Sequence, residues 1–179
     1  MYGLIAIFDE TTEELIKNIW KELKDNFISS YAYEVEDRKP HITLASYNNI
    51  NKKDFIKQMD VTYQNQSVID IKFNTIGSFL SSGALFFSPT TTKDLIEFHL
   101  NHHKDFESFN DNPNSLYLPN NWIPHCTIAN RLSQEKLNQA FDYCSKRHRT
   151  IRGKIVEVVL IDVSDKDKAP IIYSKELKK

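Results

Sequence analysis

Two histidines, each two residues ahead of a threonine, are the side chains in this sequence best suited to do chemistry. Pro40-His41-Ile42-Thr43-Leu44-Ala45 and Pro124-His125-Cys126-Thr127-Ile128-Ala129 both read Pro-His-x-Thr-(Leu/Ile)-Ala, and the histidines lie 84 residues apart. One His-x-Thr would carry little weight in a chain with 6 histidines. Two copies sharing the flanking proline, aliphatic residue and alanine carry far more. A repeat kept only for folding should preserve apolar and glycine positions, whereas here His and Thr are shared. Imidazole gives or takes a proton near neutral pH. Two of them opposed across phosphorus suit in-line displacement. One takes the proton of the attacking water or hydroxyl, and the other protonates the departing oxygen. The hydroxyls of Thr43 and Thr127 would donate to the non-bridging oxygens as charge builds. Such a pair calls for no metal and no other cofactor, and its pH dependence would be bell-shaped with coupled pKa values.

The histidines must be held by strands. Both hexapeptides are short and rich in β-branched residues, with proline at the start, where a missing N–H does least harm. Alternation puts His41 and Thr43 on one face and His125 and Thr127 on one face, with Ile42, Leu44, Cys126 and Ile128 turned to a core. Around the first copy (about 40–47) the chain reads as a strand over 2–8 and a helix over about 11–27. That helix opens on the capping box Thr11-x-x-Glu14 and carries Leu15, Ile16, Ile19, Trp20, Leu23 and Phe27. A helix over 52–60 capped by Asn51 follows. A strand from 68 then runs through Gly77 to Leu80, followed by a turn at Ser81-Ser82-Gly83 and a hairpin partner over 84–88. The order then repeats. A helix spans about 91–106, with Leu95, Ile96 and Leu100 as core candidates, and a polar loop covers 107–123. The second hexapeptide strand (about 124–130) precedes a helix after Ser133 with Leu137, Ala140, Phe141 and Cys144, a long strand over 153–163 and a last strand over 171–177. These readings give an α+β, bilobal, pseudo-twofold protein with two antiparallel-rich sheets around a central cleft and helices outside. It would be a single domain over 1–179, with lobes of roughly 1–83 and 84–179 between which strands can exchange.

Net charge is −1, so a broad nonspecific grip on nucleic acid is disfavoured, while a small phosphate pocket with local cations is not. Cys126 and Cys144 have neither metal nor disulfide spacing and read as buried free thiols, which suits a reducing cytoplasm. The apolar start runs straight into Asp9-Glu10 without a basic region and reads as a strand rather than a signal peptide. No stretch approaches a membrane span.

The paired His-x-Thr strands, the bilobal repeat and the length resemble the 2H phosphoesterase superfamily, which includes the bacterial 2'-5' RNA ligase/cyclic phosphodiesterase proteins. The resemblance covers essentially the whole chain. It implies that His41 and His125 are the acid–base pair and that Thr43 and Thr127 bind phosphate. It further implies a metal-independent enzyme that opens 2',3'-cyclic phosphates or cleaves 2'-5' linkages of nucleotides or RNA ends, and in some members joins RNA ends in reverse. Ligase-type members often carry an arginine five residues after the motif histidine; here Ser46 and Asn130 stand there. Arg131, one residue further on, and Arg38 and Lys39 beside the first motif are the candidate cations.

A base would need an aromatic platform, for which Tyr117 and Trp122 in the 107–123 loop, and Tyr31 and Tyr33 before the first motif, are available; loop anchoring is the plainer role for each. Phe79, Phe86 and Phe87 read as core. His99 and His103 stand at metal-sharing spacing, but Leu100 occupies the position of a catalytic Glu, so a polar helix face is expected. The chain is expected to be a monomer, and the competing functional class is a nucleotide or RNA-end binding module with the same phosphate pocket and no turnover.

Overall fold

The computed structural model describes residues 1–79, 82–147 and 149–179, with Arg147 described by its backbone alone. Seven strands form one antiparallel sheet among the described residues: β1 (Tyr2–Phe8), β2 (His41–Tyr47), β3 (Ile69–Ser78), β4 (Leu85–Pro89), β5 (Cys126–Ala129), β6 (Ile151–Asp162) and β7 (Ile171–Glu176). The strand order is β2-β1-β6-β3-β4-β5, with β7 also paired to β6. At 12 residues, β6 is long enough to serve three neighbours. It pairs with β1 along Ile155–Asp162. Its opposite edge takes β3 along Ile151–Ile155 and β7 along Glu157–Ile161. The α+β class is that expected from the sequence. The two sheets expected there are one, because β3 and β6 pair and join them. The expected strand end at Leu80 and turn residue Ser81 lie outside the described residues.

Among the described residues four helices pack on one face of the sheet: α1 (Glu10–Asp25), α2 (Lys52–Tyr63), α3 (Lys93–Asp105) and α4 (Gln134–Arg147). The core between them takes Leu4, Ala6 and Phe8 of β1, Ile42 and Leu44 of β2, and Ile16, Ile19, Trp20 and Leu23 of α1. Cys126 and Cys144 are buried and free, and burial pushes each thiol up to about 12. No helix among the described residues is long and apolar enough to cross a membrane.

Local details correct the sequence reading. The cap of α1 is Asp9, whose carboxylate accepts from Thr12 N at 3.0 Å and Thr12 Oγ1 at 2.9 Å, so Thr11 is free of that duty. The same carboxylate accepts from the Lys154 backbone N–H, which ties the helix start to β6. Gly153 makes this approach possible, since a Cβ there would run into the Thr12 side chain. Leu15, Phe27, Ile96, Leu100 and Phe141 are exposed rather than core. On α3 the buried stripe is Leu95, Phe98, His99 and His102, an i, i+3, i+4, i+7 set that includes two histidines.

Candidate active site

The sheet path ends at β2 and β5, the two hexapeptide strands, and these edges approach each other. The Cys126 thiol lies against the His41 backbone, and the His125 charge acts on His41. Curvature of the sheet thus brings together side chains from residues 41 and 125. Pro40 and Pro124 are buried at the two entrances. An open sheet edge leaves backbone groups unpaired. Here tryptophan indoles cover them from outside the ladder: Trp122 Nε1–H donates to Thr43 O at 2.9 Å, and Trp20 Nε1–H donates to Thr127 O at 3.3 Å.

Both motif histidines are held in the same way. His41 Nδ1–H donates to Lys39 O at 2.7 Å, and His125 Nδ1–H donates to Ile123 O at 2.7 Å. A carbonyl can only accept, so Nδ1 carries the proton in the neutral ring and Nε2 keeps a free lone pair. Burial is the main cause that lowers His41 to about 4, with the positive charges of Arg38 and His125 adding to it. Burial also lowers His125.

The threonines have matching neighbours drawn from the other half of the sequence. Tyr117 interacts with the Thr43 side chain, and Tyr31 interacts with Thr127 and with Arg38. The Arg38 guanidinium lies 4.0 Å over the Tyr31 ring. Its Nε is buried and has no hydrogen-bond partner among the described residues. A buried orphan donor costs about 1–3 kcal/mol, more when charged, and the Arg38 guanidinium is close enough for its charge to act on His41. Arg38, Lys39, His41, Thr43, Tyr31 and Tyr117 share the lining of one cavity.

Other sequence candidates fall elsewhere. Arg131 is exposed and paired with Glu34, so this cation has a carboxylate partner on the protein. Trp122 stacks on His99, with ring centroids 3.8 Å apart and planes 1° from parallel. It thus buttresses β2 and does not line the cavity. Tyr33 is exposed, with Lys24 Nζ 4.0 Å from its ring. The α3 histidines are not a solvated polar face. His102 lies between Tyr47 Oη and Tyr63 Oη at 2.8 Å each. His103 Nε2–H donates to Leu44 O at 3.1 Å, and His99 Nε2–H donates to Tyr117 O at 2.8 Å. These contacts fix β2 and the Tyr117 loop from behind. Among the described residues no group of three or more His, Cys, Asp or Glu side chains is placed to hold a metal ion.

Sequence reasoning missed the surroundings of His125. Phe79 packs edge-on to its ring at 4.9 Å, and Phe86 lies at 5.2 Å. The sequence carried no signal for this, because it follows from register: Phe86 pairs with Thr127 and so faces the cleft, while its neighbour Phe87 joins the core. Opposite Phe86 is Gly77, where a Cβ would come within 2.6 Å of the Phe86 ring.

A curved α+β fold with two His-x-Thr strands meeting at its sheet edges defines a 2H phosphoesterase. More particularly, the chain belongs to the 2'-5' RNA ligase superfamily, whose family model matches residues 11–167. Solved structures with the same fold include E. coli LigT complexed with 3'-AMP, at TM-score 0.64 and 11% identity over 99% of this chain and 98% of that one. E. coli LigT complexed with ATP aligns at TM-score 0.61 and 12% identity, covering 99% and 97%. TT0787 of Thermus thermophilus aligns at TM-score 0.61 and 11% identity, also covering 99% and 97%. At such identities the likeness is one of fold. Among curated proteins none matches the chain.

Proposed function

We propose that the protein is a metal-independent phosphodiesterase that opens 2',3'-cyclic phosphates or cleaves 2'-5' phosphodiester bonds of nucleotides or RNA ends. The observation that carries this reading is the pair of imidazoles at the meeting edges, each with Nδ1–H spent on a carbonyl and Nε2 unprotonated in the neutral ring. In the reaction an oxygen nucleophile attacks phosphorus and loses its proton to one Nε2. The opposite P–O bond breaks, and its oxygen takes a proton from the other imidazolium. Run in reverse the roles exchange, which is how such a site would act as a 2'-5' RNA ligase. Thr43, Thr127 and Arg38 donate to the non-bridging oxygens, with Lys39 adding positive charge and Tyr31 and Tyr117 fixing the threonine hydroxyls. That LigT has been crystallised with 3'-AMP, ATP, NADP+ and phosphate supports a nucleotide-sized ligand.

One observation favours the alternative, a nucleotide or RNA-end binding module without turnover: both histidines are held toward the neutral form, so the acid must acquire its proton on binding the anion. Hydrolysis of a panel of 2',3'-cyclic nucleotides and 2'-5' dinucleotides in EDTA separates the two. Turnover by wild type that falls about 10²–10⁴-fold in both His41→Ala and His125→Ala supports the enzyme. Phosphate-ester binding without turnover supports the module, and activity that survives either substitution overturns the two-histidine mechanism.

A further inference from the structure

The two motifs match, but the spaces beside them do not. Next to His125, Phe79 and Phe86 occupy the cleft face. Next to His41 there is a cavity of about 400 Å³. Its floor follows from register. Ile7 pairs with His41 and Ile5 with Thr43, and across β1 the residue opposite Ile5 is Val159 and that opposite Gly3 is Ile161. Antiparallel partners share a face, so these aliphatic side chains lie on the histidine side of the sheet. Ile5, Ile7, Val159 and Ile161 form an apolar cluster separate from the main core, with Val163 and Ala169 packed against it. The segments around Glu36 and Asp167 bound the cavity and are joined to each other. Glu36 N–H donates to Asp167 O at 3.3 Å, and Lys168 Nζ lies 4.0 Å from a Glu36 carboxylate oxygen. Arg38 and His41 both line this apolar space.

We infer that this cavity is a subsite for the group esterified to the phosphate on the His41 side, and that it takes an uncharged, largely apolar or aromatic group no larger than a nucleoside. The inference rests on the phosphate-site reading above. A volume of about 400 Å³ lies in the range of small-ligand sites and well below that of a nucleotide chain. The four aliphatic residues offer nothing to replace the hydration of a charged group, and the polar lining of Glu36, Asp37, Arg38, Lys39 and Ser46 stands beside them, so an ionised arm is disfavoured against that floor. With aliphatic side chains alone on the floor, selection is by shape and apolar contact, which discriminates between similar groups only weakly. The placement also divides labour: His41 serves the oxygen joined to the group in the cavity, and His125 serves the opposite oxygen, whether water or a departing alcohol.

The test is equilibrium binding of inorganic phosphate, methyl phosphate and phenyl phosphate to the full chain. Wild type is expected to bind phenyl phosphate at least tenfold more tightly than methyl phosphate. Val163→Phe, which fills the cavity from its margin, is expected to abolish that preference and leave inorganic phosphate affinity within about twofold. Ile161→Ala enlarges the cavity and should shift the preference toward naphthyl phosphate, so the inference stays testable should Val163→Phe not fold. Phosphate binding with no aryl preference, or a preference untouched by both substitutions, overturns the subsite and leaves the phosphate site standing. Failure of inorganic phosphate to bind overturns the phosphate site and the subsite with it.

Discussion

At the scale of the residue, the two histidines are alike in tautomer and unlike in surroundings. His41 is lowered to about 4, chiefly by burial, and His125 is lowered as well. A mechanism that needs one neutral and one protonated imidazole therefore operates below the usual histidine range. The pH profile of kcat/KM is expected to be bell-shaped with its maximum between about pH 4 and 6.5, since this quantity reports the free enzyme. A plateau extending above pH 7 would contradict the assignment. The cations separate in the same way. Arg38 has an unspent buried N–H, whereas Arg131 spends its guanidinium on Glu34 at the surface. Arg38→Ala should raise KM for a phosphate ester about tenfold or more, as expected for a charge-assisted contact. Arg131→Ala should change it by no more than about threefold, since exposed pairs contribute little. Steady-state kinetics on the two variants side by side checks both.

At the scale of the element, the edge strands β2 and β5 owe their position to groups outside the ladder. Trp122 and Trp20 cap the carbonyls of the two motif threonines, and His103 caps Leu44 O. Trp122→Phe removes one of these donors and the polar half of the stack on His99. A loss of about 1 kcal/mol by denaturant unfolding is expected, with a fall in kcat, because Thr43 and Tyr117 lose their backing. The counterpart on the other strand pair is Gly77. Gly77→Ala puts a methyl group against the Phe86 ring and forces that ring, which packs on His125, to move. The expected outcome is a folded protein with kcat reduced several-fold; unchanged kcat would show that Phe86 does not position the imidazole.

At the scale of the whole molecule, burial keeps five histidines of the described residues toward the neutral form: His41, His99, His102, His103 and His125. The unfolded chain takes up these protons near pH 6.5 and the folded chain only at lower pH, so stability is complete above about 6.5 and falls as pH drops through the folded values. His41 and His99, both lowered to about 4, set the lower end of that window. One histidine shifted that far corresponds to roughly 3 kcal/mol, so the melting temperature should drop steeply between pH 6.5 and 4. A melting temperature that holds steady from pH 7 to 5 would refute this account.

The sequence by itself determined the chemistry-bearing pairs. Strand alternation put His41 with Thr43 and His125 with Thr127, and strand, helix and cap signals placed most elements within a few residues. These features are local, so they can be read from neighbours in the chain. Composition misled where position and chemistry disagreed: His99 and His102 sit on the buried stripe of α3 because packing against Tyr47, Tyr63 and Trp122 satisfies their nitrogens. Only the tertiary structure decided that the β3–β6 pairing makes one sheet, that its curvature brings the two motif strands together, and that Phe86 rather than Phe87 faces His125. It also placed an aliphatic cavity beside His41 and aromatic rings beside His125. Those outcomes depend on which strands pair and in what register, and pairing between residues far apart in the chain leaves no mark in the local pattern of either.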